Sequence, residues 1–99
     1  MNVLRMMLND EESHRVTLIV HGYLVGKWAE MLEHECLELS RPGLHVVLDL
    51  SGVLFIGRTG LEVLARLSRS GVEITGCSRL ITDILEQEGI EVASHTGDS

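Results

Sequence analysis

Residues 45–70 read HVVLDLSGVLFIGRTGLEVLARLSRS, and the apolar pattern changes period inside them. Val46, Val47 and Leu48 are consecutive apolar residues, two of them β-branched, which predicts a strand covered on both faces and ended by Asp49. From Thr59 the spacing becomes helical: Leu61, Leu64, Ala65 and Leu67 fall on one face, while Glu62, Arg66 and Arg69 lie largely outside it. Gly71 stops that helix. Thr59-Gly60-Leu61-Glu62 matches a capping box, in which the threonine oxygen accepts from the backbone three residues on and the glutamate reaches back. Thr59 is therefore the expected N-cap, a role worth about 1 kcal/mol.

Upstream, Leu4, Met6 and Leu8 alternate with Val3, Arg5 and Met7, which predicts a first strand, and Asn9 to His14 is the expected turn. Val16, Leu18 and Val20 alternate with Thr17, Ile19 and His21 in a second strand ended by Gly22, and the short polar link implies an antiparallel hairpin. A helix over 27–40 follows from the spacing of Trp28, Met31, Leu32, Cys36 and Leu39, with Glu30, Glu33 and Glu38 largely facing water. Downstream, a short strand runs from Val72 to Thr75, and Ser78 caps a third helix with Leu80, Ile81, Ile84 and Leu85 as its buried stripe. Ile90 to Ala93 is an optional edge strand, and 94–99 reads as a disordered tail. The domain is thus 1–93: an α/β unit with a mixed, mostly parallel sheet of four to five strands and about three helices.

The series Leu48-Asp49-Leu50-Ser51-Gly52-Val53, then Phe55-Ile56, then Thr59-Gly60-Leu61, resembles the signature of STAS domains, the anti-sigma factor antagonist family. The resemblance covers roughly three quarters of the chain by element order. It implies helices mainly on one face of the sheet and a non-catalytic, cytoplasmic, bacterial-type module that regulates transcription by partner switching. The implied partner is a kinase-like anti-sigma factor or related regulator, bound through Gly57, Arg58, Thr59, Gly60 and Glu62. In that family the last hydroxyl of an Asp-Ser-Ser-Gly or Asp-Ser-Thr-Gly loop is phosphorylated, and Thr59 stands at this acceptor position. Gly57 replaces the aspartate and Arg58 the serine, which removes an acidic group and installs a cation. STAS-like domains also serve transport assemblies, and some are proposed to bind nucleotides, so the alternative is a transport accessory domain or a nucleotide or anion sensor. Arg58 beside a helix N-terminus is a plausible anion site.

Ninety-nine residues make one domain, and 3% aromatic content leaves the core to Leu, Val and Ile. A net charge of −7 without a basic stripe argues against nucleic acid. No apolar run reaches the roughly 18 residues of a membrane span, and Arg5, Asp10 and Glu11 break a signal-peptide pattern. Cys36 and Cys77 are expected to be reduced thiols.

Gly22-Tyr23-Leu24-Val25-Gly26-Lys27 has one residue too few between its glycines for a phosphate-binding loop, and Trp28 stands where that loop needs Ser or Thr. It reads as a structural turn. His34, Glu35 and Cys36 point about 100° apart on a helix and cannot converge on a metal. His14, His21, His45 and His95 show no ligand spacing, so no metal and no cofactor is expected. Neither a Cys-His pair nor convergent carboxylates can be picked out, which leaves no catalytic constellation.

Overall fold

Alternating apolar residues build a hairpin at the start of the chain in the computed structural model, which describes residues 3–12 and 14–93. Strand β1 (Leu4–Glu12) pairs antiparallel with β2 (Arg15–Leu24). The expected turn at 9–14 is shorter than its polar composition implied. Asn9 still pairs with Thr17, and after an irregularity Glu12 pairs with Arg15, because the ladder is held by backbone groups. Nor does Gly22 end β2. Its φ of 111° lets the backbone pass close to Val3, whose carbonyl accepts from the Tyr23 N–H at 2.8 Å.

Helix α1 (Gly26–Leu39) leads to β3 (His45–Ile56), then come α2 (Arg58–Arg69), β4 (Glu73–Thr75) and α3 (Arg79–Gln87). The sheet order is β1-β2-β3-β4, with β3 parallel to both β2 and β4. A mixed, mostly parallel sheet with three helices is the architecture expected from the sequence. Residues 90–93 add no strand: the Ala93 N–H donates to the Ile74 carbonyl at 2.7 Å, but no ladder forms, and the described residues make a four-stranded sheet. The tail at 94–99, with His95, lies outside the described residues.

Strand β3 also differs from its expected length. Asp49 does not end it; its carboxylate accepts from the Ser51 N–H at 2.9 Å, and Leu50, Val53 and Ile56 are buried beyond it. Two register irregularities let this happen. Ile19 pairs with Asp49 but His21 with Gly52, and Gly22 pairs with Val53 but Tyr23 with Phe55, so β3 carries an extra residue at each point. Such bulges bend a strand and re-aim its side chains.

Val16, Leu18 and Val20 of β2 and Val46, Leu48 and Leu50 of β3 face a core shared with Ala29, Leu32 and Cys36 of α1, Val63, Leu64 and Leu67 of α2, and Ile81 and Leu85 of α3. The helical stripes are rotated from the expected ones. Ala29 is buried while Met31 is exposed; Val63 is buried while Leu61 and Ala65 are half-buried; Leu80 is exposed. Glu33 does not simply face water, because its carboxylate takes two hydrogen bonds from the Arg66 guanidinium at 2.8 and 3.0 Å, tying α1 to α2. That partner lowers the Glu33 pKa. Burial pushes the Cys36 thiol up to about 12 and the Cys77 thiol up to about 11, so both are free thiols held protonated at neutral pH.

Candidate functional site

The site is the turn from β3 into α2, and a single carbonyl organises it. The Leu24 oxygen, at the end of β2, accepts from the Gly57 N–H at 3.0 Å. The same oxygen lies against Gly60, where a methyl would strike it and would also come within 2.9 Å of Ile56 Cγ2. Gly60 is buried in the first turn of α2, so the helix starts hard against the neighbouring strand only because residue 60 has no side chain.

The N-cap of α2 is Gly57, not Thr59, and no side chain caps it. The Gly57 carbonyl accepts from the Leu61 N–H at 3.0 Å, which starts the helix two residues before the capping-box template placed it. Thr59 is consequently inside the first turn, half-buried, and its hydroxyl has no hydrogen-bond partner among the described residues. Glu62 falls in the second turn and makes no return bond to Thr59. The amides of Arg58, Thr59 and Gly60 have no intrahelical acceptor, as at any helix start, and here no side chain replaces one. In α3 the expected cap does form: Ser78 Oγ accepts from the Ile81 N–H at 3.2 Å.

The structure brings Gly57, Arg58, Thr59 and Gly60 together as one turn, with Glu62 exposed one turn further on. Arg58 is exposed and makes no ion pair among the described residues. Three neighbours were not legible as site residues. Leu54 is 71% exposed, Phe55 52% and Tyr23 47%, and Tyr23 and Phe55 are paired across β2 and β3. The Phe55 ring reaches the position a side chain at Gly57 would occupy, at 3.8 Å. The second bulge in β3 turns Leu54 outward. The one sequence signal was the uninterrupted run Val53-Leu54-Phe55-Ile56, where strict alternation fails. Among the described residues no group of three or more His, Cys, Asp or Glu is gathered to hold a metal, and no helix is long and apolar enough to cross a membrane.

Comparison with solved structures gives the fold its class. The chain superposes on the anti-sigma factor antagonist SpoIIAA in its unphosphorylated form with a TM-score of 0.71 at 11% identity, covering 94% of this chain and 91% of that one. An anti-sigma factor antagonist from Mycobacterium paratuberculosis matches at a TM-score of 0.70 and 20% identity, covering 96% and 89%. The murine Slc26a9 anion transporter in its inward-facing state matches at 0.65 and 16% identity over 90% of this chain but 15% of the transporter. No family model and no curated protein matches the sequence. The fold is that of anti-sigma factor antagonists, the STAS fold which the central stretch resembles.

Proposed function

We propose that this chain is a non-catalytic regulatory module of the anti-sigma factor antagonist kind, which binds a protein partner through Gly57, Arg58, Thr59, Gly60 and Glu62. The partner in this reading is a kinase-like anti-sigma factor or related regulator in the cytoplasm, and Thr59 is the residue it phosphorylates. The observation that carries the reading is the bare start of α2, where a hydroxyl sits in the first turn beside amides that no side chain caps. Backbone amides and the helix dipole at such a position stabilise a phosphate, which adds about −1.5 to −2 charges. Arg58, the adjacent residue, supplies a cation that can turn to the phosphate and so withdraw from the partner. Modification then leaves the fold intact and weakens binding.

The test captures the partner from native lysate with the full chain, then compares wild type, Thr59→Ala and Thr59→Glu for melting temperature and affinity. Wild type and Thr59→Ala should bind alike, and Thr59→Glu should fold normally but bind more weakly. Unfolding of Thr59→Glu, or binding as tight as wild type, contradicts the switch. Failure to capture a specific partner, with Arg58→Glu behaving like wild type, contradicts the docking site.

The likeness to part of an anion transporter supports a second reading, a transport accessory domain or a sensor that holds an anion or nucleotide at Arg58. Thermal-shift measurements with phosphate and with nucleotides separate the two, because a ligand specific for the folded state must raise the melting temperature.

A further inference from the structure

The parallel strands β2, β3 and β4 each lead into a helix, so the N-termini of α1, α2 and α3 all lie at one end of the sheet. A helix start carries partial positive charge and favours acidic residues in the first turn. None of the three helices has one there. Each carries an exposed cation instead: Lys27 in α1, Arg58 in α2 and Arg79 in α3. These are three of the eight Lys and Arg residues of a chain with net charge −7.

Pairing within the helices does not explain them. Glu30, Glu62 and Asp83 lie one turn further on, yet none of the three cations forms an ion pair among the described residues. Cation before acid is also the weaker order along a helix. Lys27 lies over its neighbour Trp28, 5.3 Å from the ring centre. Apart from that contact, a placement that opposes the helix dipole three times at one end does nothing for the fold, and departures of that kind gather where function sets the residue.

The same end exposes large apolar side chains. Tyr23 and Phe55 form the last pair but one of the β2–β3 ladder, Leu54 is turned outward beside them, and Leu80, 69% exposed, lies in the first turn of α3. Strand β3 continues to Ile56, whereas its pairing with β4 stops at Asp49, so among the described residues no strand covers its outer edge along this stretch.

We propose that the partner docks an acidic segment with apolar anchors on this end, where Lys27, Arg58 and Arg79 flank Tyr23, Leu54, Phe55 and Leu80. The inference rests on the docking reading above and adds the charge of the partner's surface. Charge complementarity supplies the sign, since cations steer acidic partners and repel basic ones. The apolar group separates a protein from a free phosphate, which would leave these four side chains in water. A short acidic segment meets the three cations locally, whereas an extended anionic membrane also faces the rest of a chain of net charge −7, which it repels.

Isotope-labelled full-length protein is titrated, with amide shifts followed by NMR, against a peptide alternating Glu with Leu and Phe. A peptide with Lys replacing Glu and vesicles containing phosphatidylserine are the other probes. The acidic peptide should shift amides in 22–27, 54–60 and 76–81. The triple variant Lys27→Gln/Arg58→Gln/Arg79→Gln should bind it about tenfold more weakly, with a melting temperature at or slightly above wild type, since no first-turn acid or cap is lost. If the basic peptide binds at this end and the acidic one does not, the inference fails while the docking reading stands. If neither peptide shifts this end, both fail. Preferential binding to vesicles, equal binding by the triple variant, or concentration-dependent shifts without peptide, which mark self-association, each overturn the inference.

Discussion

The two ends of α2 follow opposite rules. At the C-terminal end Arg66 and Arg69 occupy the last turn, where cations suit the helix dipole. The last carbonyls there are satisfied: Ser70 Oγ and N–H both donate to the Arg66 carbonyl, at 3.0 and 3.1 Å, and the Val72 N–H donates to the Leu67 carbonyl at 3.0 Å. Arg66 also reaches across to Glu33 on α1. At the N-terminal end the cap is a glycine without a side chain, the first turn has no acid, and Arg58 stands against the dipole. One end is built for stability. The other gives up stability that a single residue would supply, and that difference is what the proposed docking role would account for.

The comparison breaks most visibly at Gly60. Its methyl would meet a backbone oxygen that cannot swing aside, so Gly60→Ala should lose about 2–3 kcal/mol, or on the order of 10–20 °C in melting temperature for a domain of this size. Thermal denaturation followed by circular dichroism checks it, and a loss below about 4 °C would mean that the close approach of α2 to β2 relaxes easily.

A smaller effect separates real from apparent caps. Ser78→Ala removes an observed cap and should lose about 1 kcal/mol. Thr59→Ala removes a hydroxyl with no partner among the described residues and should stay within about 0.5 kcal/mol of wild type. Urea titrations of the two variants give both numbers. Equal losses would restore Thr59 as a cap.

The smallest effect belongs to the C-terminal end. Glu33 has its pKa lowered in the folded state by Arg66, so its contribution is complete at neutral pH and fades as pH falls through its folded-state value, below the ordinary carboxylate range. Glu33→Gln should therefore melt about 2 °C lower than wild type at pH 7, with a difference that shrinks as pH falls through the lowered Glu33 value. A difference that persists in acid would assign the loss to packing instead of charge.

Much of this was legible in the sequence because period carries it. The hairpin, three helices and parallel β3 follow from alternation, helical spacing and the break at Gly71. What failed around the site has a common cause, the bulged strand. Asp49 looked like a terminator because a charged residue interrupts an apolar run, yet its carboxylate satisfies the Ser51 amide and the strand goes on to Ile56. Lengthening β3 by that much moves the N-cap from Thr59 to Gly57 and turns a matched capping box into a coincidence of spacing. The exposed group Tyr23, Leu54 and Phe55 was hidden for the same reason, since no local signal states where a bulge will reset the alternation. Position 59 itself was singled out by resemblance, and the structure adds the uncapped turn around it.

The most direct test is Gly57→Asp, because it installs at the bare end what other helices carry. Residue 57 has φ −86° and accepts any side chain once Val25 Cγ1, 3.2 Å from the new Cβ, gives a few tenths of an ångström. The carboxylate would cap the helix and oppose Arg58. Melting temperature and affinity for the captured partner are measured on the same sample. The account predicts a gain of a few degrees together with weaker binding. A gain in stability with unchanged or tighter binding would contradict it.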